Sequence, residues 1–173
     1  MTEESAHTSR AAEGLGLTTP FDLGAFWHTG IVVEDVEAAM PIFTIATGCR
    51  WAVPSTVTPR VWTPECTMDV TITYTYSVGP EPRLELVSAN PGSPWDASTH
   101  GGIDHVCYWS DDIVEQSNAL TQAGLPLLVT HDGDAPRRFV YHASPVPGMR
   151  IELIDRAAKP GIDEWLAHPP WEQ

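Results

Sequence analysis

The sequence predicts an α+β fold built from two tandem βαβββ modules. The same order of elements occurs twice along the chain, and an offset of 77 positions lays His28 on His105 and Asp35 on Asp112. A repeat of this period outweighs the propensities of individual residues. The chain has 173 residues, of which 42% are hydrophobic, so it can bury one sizeable core.

The repeat divides the chain into five segments. They are a loose polar N-terminal segment at 1–22, a first module at 23–90, a Pro-, Gly- and Ser-rich linker at 91–102, a second module at 103–156 and a C-terminal tail at 157–173. The tail carries Trp165, Leu166 and Trp171, which can cover an apolar surface of the same sheet or of a second subunit.

The first module begins with residues 26–33, which are rich in strand-forming side chains. Residues 34–48 then have apolar side chains at helical spacing and end in a glycine. Pro41 is unfavourable inside a helix, so this helix is expected to begin late or to kink. Residues 67–78 alternate as a strand does, and residues 83–88 form the last strand.

The second module follows the same plan. Residues 103–129 predict a strand, a helix that starts near an aspartate and a glycine stop, and residues 137–144 and 149–155 predict further strands. We therefore expect the two modules to bring equivalent positions together.

Each module carries a histidine on its first strand and a glutamate on its last. His28 and Glu85 are 57 residues apart, whereas His105 and Glu152 are 47 apart. The additional residues of the first module fall in its middle, in the segment RWAVPSTVTPRVWTPEC. Because strand side chains alternate between faces, Glu152 points away from its apolar neighbours and toward an interior polar site.

Two imidazoles and two carboxylates form a mixed nitrogen and oxygen ligand set for a divalent metal. A lone His on an apolar strand is more often a core residue bonded to a backbone carbonyl, and a lone Glu more often faces water. Four such residues at equivalent positions of a repeat instead favour a metal site, since a metal neutralises buried carboxylates. The ligands are His28, Glu85, His105 and Glu152.

The segments HTGIVVEDVEAA, RLELVS, IDHVCYWSDDI and RIELID resemble the vicinal-oxygen-chelate superfamily, which includes glyoxalase I, methylmalonyl-CoA epimerase, extradiol dioxygenases and bleomycin-resistance proteins. The resemblance covers about residues 26–156. It implies a curved, cup-like mixed sheet around the metal, with helices outside. The same four residues fall in the ligand positions. The metal is nickel, cobalt, zinc, manganese or iron, because His and Glu suit all of them.

The complete set of four ligands looks more like glyoxalase I and the epimerases than like the other members. We therefore expect a lyase, isomerase or epimerase that acts on a small carbonyl substrate by proton transfer through a metal-stabilised enolate. Extradiol dioxygenases match at His28, His105 and Glu152, which leaves an iron(II) dioxygenase as an alternative. A non-catalytic small-molecule binding or resistance protein is a third reading, although such proteins usually lack the ligands.

Several residues are candidates for catalysis and substrate binding. In glyoxalase-like chemistry a ligand carboxylate serves as the base, which makes Glu85 and Glu152 catalytic candidates. Glu65 lies near the place of the epimerase acid, and His142 has a pKa suited to proton transfer. The substrate-binding candidates are Tyr76, Trp109, Tyr141 and Arg138, each of which could instead be structural.

The net charge of −14 opposes binding to nucleic acid or to anionic membranes. Three widely spaced cysteines suggest neither a disulfide framework nor a Cys-rich zinc site. With no secretory signal and no apolar span, we expect a cytoplasmic protein. A homodimer is compatible with the sequence, but both ligand sets lie in one chain and an intramolecular cup is sufficient.

Overall fold

Two βαβββ modules lie side by side in one curved mixed sheet, as the repeat predicts. The computed structural model describes residues 25–100, 102–133 and 135–167. The predicted loose segment at 1–22 and Trp171 of the tail lie outside the described residues. Within those ranges, helices pack against the strands of each module.

The first module contains more strands than the sequence predicts. Its elements are β1 (Phe26–Val33), α1 (Val36–Thr47), β2 (Arg50–Trp51), β3 (Ser55–Val57), β4 (Arg60–Trp62), β5 (Thr67–Asp69), β6 (Ile72–Val78) and β7 (Arg83–Ser88). The single strand expected at 67–78 is split into β5 and β6.

The second module follows a short helix in the linker. The elements are α2 (Ala97–His100), β8 (Gly102–Ser110), α3 (Ile113–Gln122), β9 (Leu127–His131), β10 (Phe139–Ala143), β11 (Arg150–Asp155), a 3₁₀ turn (Arg156–Ala158) and α4 (Lys159–Leu166). The sheet order is β2-β6-β7-β1-β8-β11-β10-β9-β4-β5, and β3 also pairs with β6.

The first strands of the two modules meet at the centre of the sheet. β1 and β8 are antiparallel, with Gly30 opposite His105. Each of them also pairs in parallel with the last strand of its own module, β1 with β7 and β8 with β11. Because the four strands are adjacent, equivalent residues of the two modules face one another across the centre.

The two long helices begin at equivalent aspartates. Asp35 accepts a hydrogen bond from the Ala38 amide at 3.0 Å, and Asp112 accepts one from the Glu115 amide at 2.9 Å. Helix α1 begins directly after Asp35 and includes Pro41, so the expectation of a late start is wrong. Trp51 donates its indole N–H to the carbonyl of Met40 at 3.1 Å, which anchors the helix beside the proline.

The additional strands of the first module form one long two-stranded ribbon, the hairpin arm (55–62 paired with 67–74). The register of β3 with β6 continues into that of β4 with β5, and the Thr58 and Thr71 hydroxyls bond at 2.9 Å where the two halves join. The far half pairs with the second module, Val61 opposite His131. The arm therefore reaches from one edge of the sheet to the other.

Aromatic residues and the C-terminal helix fill one end of the cup. Trp27 and Trp109 stack with centroids 4.2 Å apart, and Leu166 of α4 belongs to the same cluster. Trp165 packs edge-on against Tyr74 and Tyr76. The described part of the tail thus covers the protein's own sheet, which was one of the two expectations for it.

Candidate metal centre

Four buried side chains from the four central strands converge at one point. His28 and His105 are fully buried, and Glu85 and Glu152 are 6% exposed. The two histidine Nε2 atoms are 3.0 Å apart. Glu85 Oε2 lies 3.4 and 3.1 Å from the two nitrogens, and Glu152 Oε2 lies 3.3 Å from each.

These separations fit a shared cation. With metal–ligand bonds of about 2.0–2.1 Å, the donor atoms of a tetrahedral site are about 3.3 Å apart, and neighbouring donors of an octahedral site about 2.9 Å apart. The one histidine–histidine and the four histidine–glutamate separations are 3.0–3.4 Å. In addition, Glu152 Oε2 has no hydrogen-bond partner among the described residues, as expected for an atom that awaits a ligand. The residues therefore fit a divalent metal.

The charges of the four groups depend on one another. Burial raises the pKa of Glu85, but the neighbouring charges of His28 and His105 more than reverse this and lower it to about 2. Burial likewise raises the pKa of Glu152, yet contacts with His105 and His28 leave it below its usual value. For both histidines burial lowers the pKa, but the two glutamates, joined at His105 by Asp104, raise it above the ordinary value. The pocket therefore strongly favours positive charge.

A β-bulge precedes each of the two histidines, and the bulged residue contacts its histidine differently in the two modules. The registers of β1 and β8 shift at Trp27 and at Asp104, which occupy equivalent positions. Asp104 Oδ2 lies 2.8 Å from His105 Nδ1, and Arg150 donates to the same oxygen at 2.6 Å. Such a partner fixes the orientation and tautomer of a ligating imidazole. Trp27 instead packs against His28, whose Nδ1 has no hydrogen-bond partner among the described residues.

Sequence reasoning missed Asp104 and Arg150. Asp104 is adjacent in sequence to the proposed ligand His105, which was the available signal. Strict strand alternation, however, predicts that two adjacent side chains lie on opposite faces. Only a bulge brings an adjacent side chain to the same face, and nothing in the local sequence marks that bulge.

A cavity of about 400 Å³ opens above the four side chains. Glu85 and Glu152 line it, together with Tyr76 and Tyr141, which stand directly opposite these glutamates across their strands. Burial, followed by the charges of the two glutamates, raises the pKa of both phenols well above the usual value. Both hydroxyls therefore stay protonated at neutral pH and can donate hydrogen bonds.

The structure separates the remaining candidates. Arg138 lines the cavity. Trp109 is buried in the stack on Trp27 and is not part of the cavity wall. Glu65 is exposed in the turn at the tip of the hairpin arm, outside the cavity lining. Neither Trp109 nor Glu65 is therefore positioned for the role that the sequence suggested.

His142 lies on the opposite face of β10 from Tyr141. Its Nε2 is 2.8 Å from the Ser117 hydroxyl on α3, and its Nδ1 is 2.8 Å from the carbonyl oxygen of Leu125. Both nitrogens are thus engaged beneath the helix.

Cys107 is a neighbour that the four-residue set did not include. Its sulfur, a nitrogen of His28 and a carboxylate oxygen of Glu152 lie within 4.8 Å of one another. Burial, followed by the charge of Glu152, raises the pKa of the thiol well above its usual value. It is accordingly a protonated, buried thiol beside the centre.

Comparison with known proteins identifies the family. Residues 27–141 match the model of the glyoxalase/bleomycin resistance protein/dioxygenase superfamily. This segment is well over half of the chain, so the chain belongs to that superfamily, which confirms the resemblance seen in the sequence.

Several of the similar proteins are epimerases. An ethylmalonyl-CoA/methylmalonyl-CoA epimerase of Cereibacter sphaeroides is 27% identical over 129 residues, 72% of this chain and 86% of the relative. The solved structure of a methylmalonyl-CoA epimerase with methylmalonyl-CoA and NH4+ has a TM-score of 0.53 at 17% identity, covering 78% of this chain and 95% of that one. A Streptomyces coelicolor methylmalonyl-CoA epimerase variant with 2-nitronate-propionyl-CoA gives 0.52 at 17%, covering 76% and 96%. These structural likenesses establish the curved-sheet fold.

None of the helices in the described ranges combines the length and apolar character needed to cross a bilayer.

Proposed function

We propose that this protein is a metal-dependent isomerase of the epimerase type, which moves a carbon-bound proton next to a carbonyl group of a small substrate. The observation that carries the proposal is the convergence of four buried side chains at the floor of a cavity, where each glutamate oxygen lies 3.1–3.4 Å from the two histidine nitrogens. The sequence relationship to an ethylmalonyl-CoA/methylmalonyl-CoA epimerase supports it.

His28, Glu85, His105 and Glu152 would hold the metal. A bound divalent cation would polarise a substrate carbonyl and stabilise negative charge on its oxygen. The His105 imidazole is held in place by Asp104, whereas the His28 imidazole is held by packing against Trp27. The two ligands are therefore oriented by different forces.

Either cavity-lining glutamate can accept the proton. Glu85 and Glu152 are ionised at neutral pH, because the imidazoles lower the pKa of both carboxyls. Glu85 lines the cavity from the first module and Glu152 from the second, so either carboxylate could meet a substrate carbon held in the cavity. Removal of a proton on one side and its return on the other inverts a stereocentre.

The two tyrosines complete the polar floor. Tyr76 and Tyr141 carry protonated hydroxyls that can donate to a substrate oxygen as its charge increases. Trp95 is 1% exposed and packs edge-on against Tyr141 at the cavity wall. This aromatic wall limits access of water to the reacting carbon.

Proton exchange in D₂O tests the proposal. Metal-loaded protein would be incubated with methylmalonyl-CoA and with a set of 2-oxo acids, and loss of the C–H signal beside the carbonyl would be followed by NMR. We expect accelerated exchange for at least one compound, reduced at least about a hundredfold by Glu152→Gln. Glu65→Gln, which removes an exposed carboxylate outside the cavity, is the matched control and should retain the rate.

The opposite results are equally informative. Elemental analysis that finds no metal after reconstitution would refute the metal site. A metal-loaded protein that accelerates none of these exchanges would refute the isomerase proposal and favour a binding protein, and bound iron with substrate-dependent oxygen uptake would favour a dioxygenase.

A further inference from the structure

We propose that the mouth of the cavity is an anion subsite formed by Arg138 and His131, and that the substrate is a compact carbonyl compound with an apolar middle and one terminal carboxylate. This inference rests on the proposed function, because it assigns the carbonyl end of the same substrate to the metal centre. Both residues line the cavity.

Arg138 is a cation without an acidic partner. The other cationic side chains with ion pairs, those of Arg60, Arg137, Arg150, Arg156 and Lys159, each contact a carboxylate. Among the described residues Arg138 contacts none, although acids outnumber bases 23 to 9 in the chain. An unpaired arginine at a cavity mouth is available for a ligand anion.

The backbone holds Arg138 in an uncommon conformation. Its φ is 57°, and the Phe139 amide donates to the Arg137 carbonyl at 2.6 Å across it. The Arg138 carbonyl in turn accepts from the Asp155 amide at 2.8 Å. Non-glycine residues at positive φ are rare and concentrate where the position of a side chain matters for function. This tight turn separates Arg138 from Arg137, which pairs with Asp132 instead.

His131 adds a neutral polar group to the same mouth. Its Nδ1 is buried and has no hydrogen-bond partner among the described residues. Burial, followed by the charge of Arg138, lowers the pKa of this histidine, with a smaller opposing contribution from Asp132 and a further lowering by Arg137. The pair therefore offers one positive charge, which suits a carboxylate better than a polyphosphate.

Apolar side chains lie between the mouth and the metal centre. Phe139 and Ile154, paired across β10 and β11, lie between Arg138 and the Tyr141–Glu152 pair. Phe139 and Tyr141 are about 7 Å apart along the extended strand, and Arg138 lies one residue before it. A ligand that contacts both ends therefore needs an apolar spacer between its two polar ends. The CoA groups named for the relatives' substrates carry more negative charges than the single positive charge at this mouth could pair.

Calorimetric titration of the metal-loaded protein tests the subsite. The probes are 2-oxoglutarate, 2-oxoadipate and 2-oxosuberate, each compared with the ester in which the carboxylate far from the keto group is methylated. We expect at least one diacid to bind about tenfold more tightly than its ester, since a charge-assisted hydrogen bond is lost on methylation. Arg138→Met should abolish this difference, and the matched variant Arg137→Met should retain it.

The outcomes separate the subsite from the metal centre. Equal binding of acid and ester at every length, an undiminished preference in Arg138→Met, or no binding of any probe would overturn the subsite. Metal content is measured separately by elemental analysis. If the protein takes up no metal, the proposed function fails, and the preference for the diacid is still expected in the metal-free protein at lower affinity.

Discussion

Gly30 leaves the space that the imidazole of His105 occupies. The two residues are opposite each other on the central strands, and a methyl group built on Gly30 would overlap Cε1, Nε2 and Nδ1 of that ring. The substitution Gly30→Ala therefore tests the geometry of the metal centre without changing any ligand.

The size of the effect follows from the overlap. Carbon atoms attract at about 3.5–4.0 Å, so the ring would retreat by more than about 1 Å. Metal–ligand distances are held to about ±0.2 Å, so His105 could no longer bind with its three partners. Loss of a residue that hydrogen-bonds to a metal-ligating side chain already lowers metal affinity about 10–100-fold. Because Gly30→Ala displaces the ligand itself, we expect it to lower metal affinity at least about a hundredfold. Overpacking adds a stability cost of about 1–3 kcal/mol.

Competition with a chromogenic chelator measures the affinity, at a temperature where thermal unfolding shows that the variant is folded. Gly161→Ala is the matched control, since a methyl group there meets no atom within 4 Å and the backbone is not at positive φ. Native metal affinity in a folded Gly30→Ala protein would refute the assignment of His105 as a ligand.

Three further predictions concern the groups around the site. Asp104→Asn should lower the metal affinity of the folded protein about 10–100-fold, measured by competition with a chelator. Unchanged affinity would mean that Asp104 does not orient His105. Metal at about 100 times its dissociation constant should stabilise the fold by about 2.7 kcal/mol, which raises the melting temperature by about 5–10 °C. A strong chelator should reverse this increase. An unchanged melting temperature would count against the metal centre. Burial lowers the pKa of His142, so its contribution to stability is present above its ordinary pKa of about 6.5 and is lost as pH falls below it. Between about pH 7.5 and 5.5 the free energy of urea unfolding should therefore fall less in His142→Asn than in the wild-type protein. Equal decreases would contradict this prediction.

Most of the fold could be predicted from the internal repeat of the sequence. Matching His28 with His105 placed two first strands in equivalent positions, and strand alternation turned Glu152 and its counterpart inward. Because the repeat and the strand alternation can both be read along the chain, the sequence sufficed to predict the two modules. It also grouped two histidines and two glutamates whose nitrogen–oxygen distances are 3.1–3.4 Å.

Other expectations depended on contacts between distant segments. His142 has the chemistry of a proton carrier, yet α3 covers it and Ser117 bonds to it. Glu65 lies at the tip of a ribbon whose partner strand, β9, is more than sixty residues further along the chain. Long-range pairing of this kind leaves no periodic trace in either segment.

The sequence by itself determined the duplicated modules, the strands that carry the histidines and glutamates, and the face on which these side chains lie, since each follows from spacing along the chain. Only the tertiary structure decided the rest: the bulge that turns Asp104 onto His105, the hairpin arm that joins the two edges of the sheet, and the tight turn that presents Arg138 at the cavity mouth. These features arise from register and backbone conformation between segments that meet only after folding, which residue identity and spacing do not encode locally.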